Sequence, residues 1–139
     1  MRVVEDPVER QFPKATTHIP DIEASEWAQF KRTLDRASCL LLHLSEGVDD
    51  KAHLAFKALQ NSQGDWAISA SLAGIYCTGL QPEDFAVLAE RGGSMVWSPL
   101  SNLLLYGGTT NVTAARSAGV PISLGSDWSP TGSKTLLNE

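Results

Sequence analysis

An α/β fold built on a parallel sheet is what this sequence predicts, and three observations carry the expectation. Short apolar runs alternate with stretches of helical spacing from Ser25 to Leu124. The runs, such as Cys39-Leu40-Leu41-Leu42, are continuously apolar, as strands covered on both faces must be. Polar or glycine-rich breaks follow each run, at Ser45-Glu46-Gly47, Thr78-Gly79, Ser98-Pro99 and Gly125-Ser126-Asp127.

The elements follow in order. The first 24 residues carry Pro7, Pro13 and Pro20 without a hydrophobic period and are expected to form an irregular arm. Residues 25–139 are expected to form one unit. Ser25 is a plausible cap for a helix whose apolar face is Trp27, Phe30 and Leu34, with Glu26 in its first turn and Arg36 near its end. A strand is predicted over Ser38–Leu44. A helix follows over Asp49–Gln60, with Asp49 or Asp50 as its cap and Leu54, Ala55, Ala58 and Leu59 on one side. A second strand is predicted over Ala70–Cys77. A helix then opens at Gln81-Pro82-Glu83-Asp84 and stops at Gly92-Gly93. Ser94–Trp97 reads as a third strand, 98–102 as a polar loop, 111–118 as a helix stopped by Gly119, and 120–124 as the fourth strand. A last helix is expected to begin near Ser133, with Leu136 and Leu137 starting its apolar face. A helix ending after one turn would leave the fold truncated. Such alternation predicts right-handed helical crossovers between parallel strands.

Composition narrows the function. With 42% hydrophobic and 19% charged residues over 139 positions, the chain is globular. It is too short for a closed eight-fold strand–helix barrel, which needs roughly 200 residues. A net charge of −5 without a basic run gives no footprint for nucleic acid. No apolar stretch of about 18 residues is present to span a membrane. Cys39 and Cys77 lie in apolar runs at a spacing that fits no metal motif, which predicts two buried thiols in a reducing, cytoplasmic setting.

The chemistry collects at the predicted C-terminal strand ends, which converge in strand–helix barrels. His43 is a candidate metal ligand through a neutral imidazole nitrogen, set against the alternative of a hydrogen-bonded buried histidine. Glu46, three residues on, is placed to shuttle protons or is a solvated loop carboxylate. Asp127 leaves its strand through a glycine-rich exit, placed to bind metal or take a proton, or to cap a helix. Trp97 and Trp128 line a pocket or pack in the core. His18 and His53 read as surface residues. Thr131-Gly132-Ser133-Lys134 lacks the glycine spacing of a phosphate loop.

Three segments, LLLHLSEG (40–47), GIYCTGLQPEDFAVLAERGGSMVWSPLSNLLLYGG (74–108) and AGVPISLGSDWSPTGSKTLLNE (118–139), together resemble the metal-dependent amidohydrolase superfamily, in its chlorohydrolase and cytosine- and guanine-deaminase-like branch. The resemblance implies strands five to eight of a (β/α)8 TIM barrel. It implies hydrolysis of C–N bonds other than peptide bonds in a small molecule, with zinc or iron as cofactor. His43 then stands at a metal position and Glu46 at the proton-handling position. Asp127 is both metal ligand and base, and Ser98 to Asn102 shape the substrate pocket.

Two departures qualify this expectation. Tyr76 stands where the resemblance predicts histidine, and a phenol with an ordinary pKa near 10 is a poor zinc ligand. The His-x-His pair of the family's first strand is nowhere in the chain. Zinc sites use at least three protein ligands, so weak or no metal binding by the isolated chain is expected. Competing expectations are a non-catalytic or degenerate half-barrel that self-associates through open sheet edges, and a flavodoxin-like binding module, which the missing phosphate-binding turn disfavours.

Overall fold

The computed structural model describes residues 27–128 and 130–139. The expected arm over 1–24, and the Ser25 cap with Glu26, lie outside the described residues. Four parallel strands, β1 (Leu40–Leu44), β2 (Leu72–Tyr76), β3 (Ser94–Trp97) and β4 (Ile122–Leu124), form one sheet in the order β1-β2-β3-β4. Helices α1 (Trp27–Arg36), α2 (Asp50–Lys57), α3 (Pro82–Glu90), α4 (Pro99–Tyr106) and α5 (Val112–Ala118) precede or connect them. This is a partial (β/α) barrel. Consecutive strands are neighbours, so same-handed crossovers place their helices on one face.

The register shows which face that is. The row Leu42, Gly74, Met95 and Ile122 packs into the core, whereas the row His43, Ile75, Val96 and Ser123 is half-exposed to exposed. Adjacent strand residues point to opposite faces, so one residue of register separates core from open surface. On the covered side Phe30, Leu34, Phe56, Phe85 and Leu88 close over Leu40, Leu42, Leu44 and Leu72. Gly74 makes that contact possible, because a Cβ there would sit 2.8 Å from Cys77 Sγ and 2.9 Å from Leu44 Cδ2.

Local sequence sets each helix. Asp49 caps α2, its carboxylate accepting the Ala52 N–H at 2.8 Å. In α3, Asp84 reaches back to accept the Gln81 N–H at 2.9 Å, half of a capping box, with Pro82 in the first turn. Asn111 caps α5, and Gly107 and Gly119 end α4 and α5 in the left-handed conformation.

The structure corrects the sequence reading in four places. The predicted loop 98–102 is the first half of α4: Ser98 is its N-cap and Pro99 occupies the first turn, where a missing N–H costs nothing. The expected terminal helix is one 3-10 turn, Leu136–Asn138, preceded by Thr135 rather than capped by Ser133, and Leu137 is 96% exposed. Cys39 is only half-buried, whereas Cys77 is fully buried and its thiol is pushed up to about 12 by desolvation. His53 is not a free surface residue. It is half-buried, with Nε2 2.8 Å from Asp84 Oδ2 in a close but poorly directed contact. No described helix is long and apolar enough to cross a membrane.

Candidate active site at the strand ends

Left-handed backbone marks three of the four strand ends. Ser45 follows β1 at φ 51°, Tyr76 and Cys77 end β2 at 73° and 54°, and Asp127 follows β4 at 54°. Such conformations are rare for residues with a Cβ and cost of order 1–3 kcal/mol each. Of these side chains Tyr76 and Asp127 meet at a common centre, whereas Cys77 packs into the core and Ser45 is buried beside α2.

That centre is built around Tyr76. The His43 ring stacks on it, with centroids 5.6 Å apart and planes 18° from parallel. Tyr106, from the last turn of α4, meets it edge-on at 6.2 Å. The Tyr106 hydroxyl donates a short hydrogen bond to Glu46 Oε1, tying the exposed loop after β1 to α4. Thr110 donates to the Tyr76 carbonyl at 2.5 Å and lies beside fully buried Asn102. On the other side, Asp127 Oδ2 accepts hydroxyls from Ser101 at 2.6 Å and Thr131 at 2.8 Å. Gly132 permits this fold-back, since a Cβ there would stand 1.8 Å from the Ser126 carbonyl oxygen.

Electrostatics follow from these contacts. Burial would raise the Asp127 carboxyl, but hydrogen bonds from Ser101, Thr131, the Trp128 backbone and Tyr76 outweigh it and hold the group below its ordinary value. Burial, then the neighbouring Asp127 and Glu46 carboxylates, push the Tyr76 phenol up to about 12. Burial and the bond to Glu46 likewise raise Tyr106. Both groups are acids favoured in their neutral form by folding. Their contribution to stability is full below the ordinary value of 10 and lost as pH rises through the folded value. The chain has two tyrosines, so phenolate absorbance reads these groups alone. It is expected to stay near zero at pH 10 in the folded protein and to develop around pH 12 or with unfolding. A half-developed signal at pH 10 would contradict the packing described.

The sequence-predicted residues therefore divide. His43, Glu46, Tyr76 and Asp127 belong to one connected cluster, and Asn102 buttresses it from beneath. Ser98 is buried as the cap of α4. Trp97 is half-buried, its indole N–H donating to Thr109 at 2.8 Å, and Trp128 is 68% exposed. Tyr106 was not singled out from sequence, Ser101 entered only within the Ser98 to Asn102 stretch, and Thr131 only in the rejected phosphate-loop reading. Asn102 and Tyr106 stand one helical turn apart in α4, a relation hidden when 98–102 is read as loop.

The donor set does not by itself make a metal centre. Among the described residues no group of three or more His, Cys, Asp or Glu is placed to hold an ion. In the third place stands a phenol that remains protonated at neutral pH, and one Asp127 oxygen already serves two hydroxyls.

No family model matches the chain. It is 38% identical over 52 residues to a 5-methylthioadenosine/S-adenosylhomocysteine deaminase of Symbiobacterium thermophilum, covering 37% of this chain and 12% of that protein. It is 29% identical over 93 residues to the protein of the same name from Caldicellulosiruptor saccharolyticus, covering 63% and 21%. Its fold matches an adenosine deaminase from Xanthomonas campestris with bound zinc at a TM-score of 0.59 and 23% identity, over 83% of this chain and 27% of that one. A triazine hydrolase from Arthobacter aurescens matches at a TM-score of 0.60 and 18% identity, over 82% and 26%. These likenesses are to deaminases and hydrolases, in line with the resemblance to the metal-dependent amidohydrolase superfamily, and the solved structures show the fold, part of a (β/α) barrel. The chain spans between an eighth and about a quarter of the length of these relatives.

Proposed function

We propose that the strand-end cluster of this amidohydrolase-like chain is one side of a site for hydrolysing C–N bonds other than peptide bonds. Deamination of a purine-type small molecule in the cytoplasm is the favoured reaction. The observation that carries the reading is the convergence of His43, Glu46, Tyr76 and Asp127 on one end of a parallel sheet. The names of the curated relatives support the reaction class.

Each side chain has a role that its surroundings allow. Asp127, kept ionised by its hydroxyl donors, is available to accept a proton above the acid range, as a weaker base than an ordinary carboxylate. Glu46, exposed and reached by Tyr106, is free to exchange protons with solvent and with a leaving amine. His43 presents an imidazole edge on the open face of the sheet. Ser101 and Tyr106 are positioning residues, fixing the two carboxylates. A zinc or iron ion of the kind the resemblance implies would be held in part by His43 and Asp127 and would supply the activation of water. The donors of this chain do not suffice for it, so the remaining ligands must come from whatever completes the barrel.

Manganese, whose paramagnetism broadens nearby amide signals even when binding is weak, tests the location. Titration into isotopically labelled chain is expected to broaden the amides of 43–46 and 126–128 first. Broadening spread evenly over the surface carboxylates would sink the assignment. Zinc offered to chelator-treated protein at micromolar concentration is expected not to bind stoichiometrically, and tight one-to-one uptake would overturn the incomplete-site reading.

A further inference from the structure

We infer that Thr110 is a positioning residue of the strand-end site: its buried hydroxyl holds the left-handed exit of β2 and so sets where the Tyr76 ring lies against His43 and Tyr106. This deepens the reading above and rests on it for the use to which the cluster is put. The geometry stands on contacts within the chain.

β2 leaves the sheet through two successive left-handed residues, Tyr76 at φ 73° and Cys77 at φ 54°. Residues with a Cβ keep such backbone only where their surroundings fix it from more than one side. Toward β1, the Cys77 N–H donates to the Leu44 carbonyl at 2.9 Å. Toward β3, strand pairing ends at Ile75 and Val96. The Tyr76 carbonyl takes its donor from a side chain instead, the Thr110 hydroxyl at 2.5 Å. Without that donor the carbonyl would be buried and unpaired, which favours turning the Tyr76–Cys77 peptide and the side chain before it.

Thr110 is itself fixed. It lies in the short link between Gly107, which ends α4, and Asn111, which caps α5. Its carbonyl accepts the Val112 N–H at 2.8 Å, and Asn111 Oδ1 accepts the Ala114 N–H at 3.0 Å. Ala115 of α5 is buried in the core, so the link is anchored to the body of the fold. Tyr76, Thr110 and Asn102 are 5%, 3% and 0% exposed. Asn102 Oδ1 lies 3.4 Å from Thr110 Oγ1, and Asn102 Nδ2 is buried without a partner among the described residues. Thr110 has one hydroxyl proton and gives it to the Tyr76 carbonyl, which leaves its oxygen free to accept. Rotation of the Asn102 amide would supply the donor and satisfy both groups.

The β2 exit matters to the site because Tyr76 touches the rest of it. Its ring stacks on His43 and meets Tyr106 edge-on, and Tyr106 holds Glu46. A turn of that exit would part His43 from Tyr106 and Glu46.

Proton NMR of the full chain, labelled at its three histidines and two tyrosines, reads this geometry. The wild type is expected to show cross-peaks between the Tyr76 and His43 rings. Its His43 ring signals should be displaced by the stacked ring from their values in Tyr76→Leu. Thr110→Val keeps the branched shape and removes the hydroxyl. It should lose the cross-peaks and move the His43 signals to the Tyr76→Leu values, with circular dichroism and the Trp97 indole signal unchanged. Thr110→Ser should restore the wild-type spectrum. Wild-type His43 signals in Thr110→Val, or no rescue by serine, would overturn the inference. So would a moved Trp97 signal, because valine would then displace the whole link. If the valine chain does not fold, the wild type decides. The Thr110 hydroxyl proton should exchange slowly enough to give a signal with a cross-peak to Tyr76, and its absence would overturn the inference. Manganese broadening in the wild type tests the site reading separately. Evenly spread broadening with the expected valine result would remove that reading and leave the role of Thr110. Localised broadening with unmoved His43 signals in Thr110→Val would do the reverse.

Discussion

Asp84→Ala is expected to lower the unfolding free energy by roughly 2–3 kcal/mol, the largest stability loss of any single polar truncation in the described fold. Asp84 is fully buried at the third position of α3, and three groups depend on it. The Gln81 N–H donates to Oδ2, Lys57 Nζ lies 2.5 Å from Oδ1, and His53 Nε2 lies 2.8 Å from Oδ2. Lys57 and His53 stand one turn apart in α2, so a single carboxylate ties together the helices of the first two crossovers. Alanine would remove the cap, worth about 1 kcal/mol, and leave cationic or polar groups facing a buried void. The Lys57 side chain is 42% exposed, so its share of the pairing is screened and the total stays below that of a fully buried ion pair. Urea denaturation should show a lowered midpoint with an unchanged slope. Lys57→Met should cost under about 1 kcal/mol, because its partner keeps the cap and the imidazole contact. A loss below about 0.5 kcal/mol for Asp84→Ala would show that water replaces this network without penalty.

The same residue shows where sequence reading reaches its limit. Asp84 was legible as an opening-turn acid, because Gln81-Pro82-Glu83-Asp84 announces a helix start. Its burial was not, because the partners come from α2, 27 and 31 positions earlier, and no local pattern encodes that approach. The strands were legible because their runs are nearly all apolar, Leu40 to Leu44 being broken only by His43. Yet β1 alternates buried with half-exposed residues and is not covered on both faces as expected. Chain order and one-handed crossovers then fix the strand neighbours. The segment 98–106 was misread because Ser-Pro is both a turn signal and a helix opening. Ser101 and Asn102 point inward while Leu103, Leu104 and Leu105 face out, inverting the usual amphipathic signal. Reading 98–102 as loop hid Tyr106, which holds Glu46, and left the part Ser101 plays toward Asp127 unseen. His43 and Asp127 themselves were visible because each lies near the C-terminal end of an apolar run, where the sites of strand–helix barrels gather.

Tyr76→His is expected to strengthen zinc binding by the chain at least about tenfold, or 1.4 kcal/mol. The reasoning is local. Tyr76 sits between His43, which stacks on its ring, and Asp127, whose carboxylate raises its phenol. A phenol pushed up to about 12 offers no anionic donor at neutral pH, whereas a neutral imidazole binds zinc directly. Histidine is also among the side chains better tolerated at positive φ, so the backbone at 73° need not change. The variant would bring His43, the new imidazole and Asp127 to three protein donors, the smallest number that usually holds zinc. Competition with a chromophoric chelator measures the gain. Tyr76→Phe, which removes the hydroxyl without adding a donor, should show none, and adding Asp127→Asn to Tyr76→His should abolish it. A folded Tyr76→His chain that binds zinc no better than Tyr76→Phe would mean that these strand ends are too far apart to share one ion. The hydrolytic reading of His43 and Asp127 would then have to be abandoned.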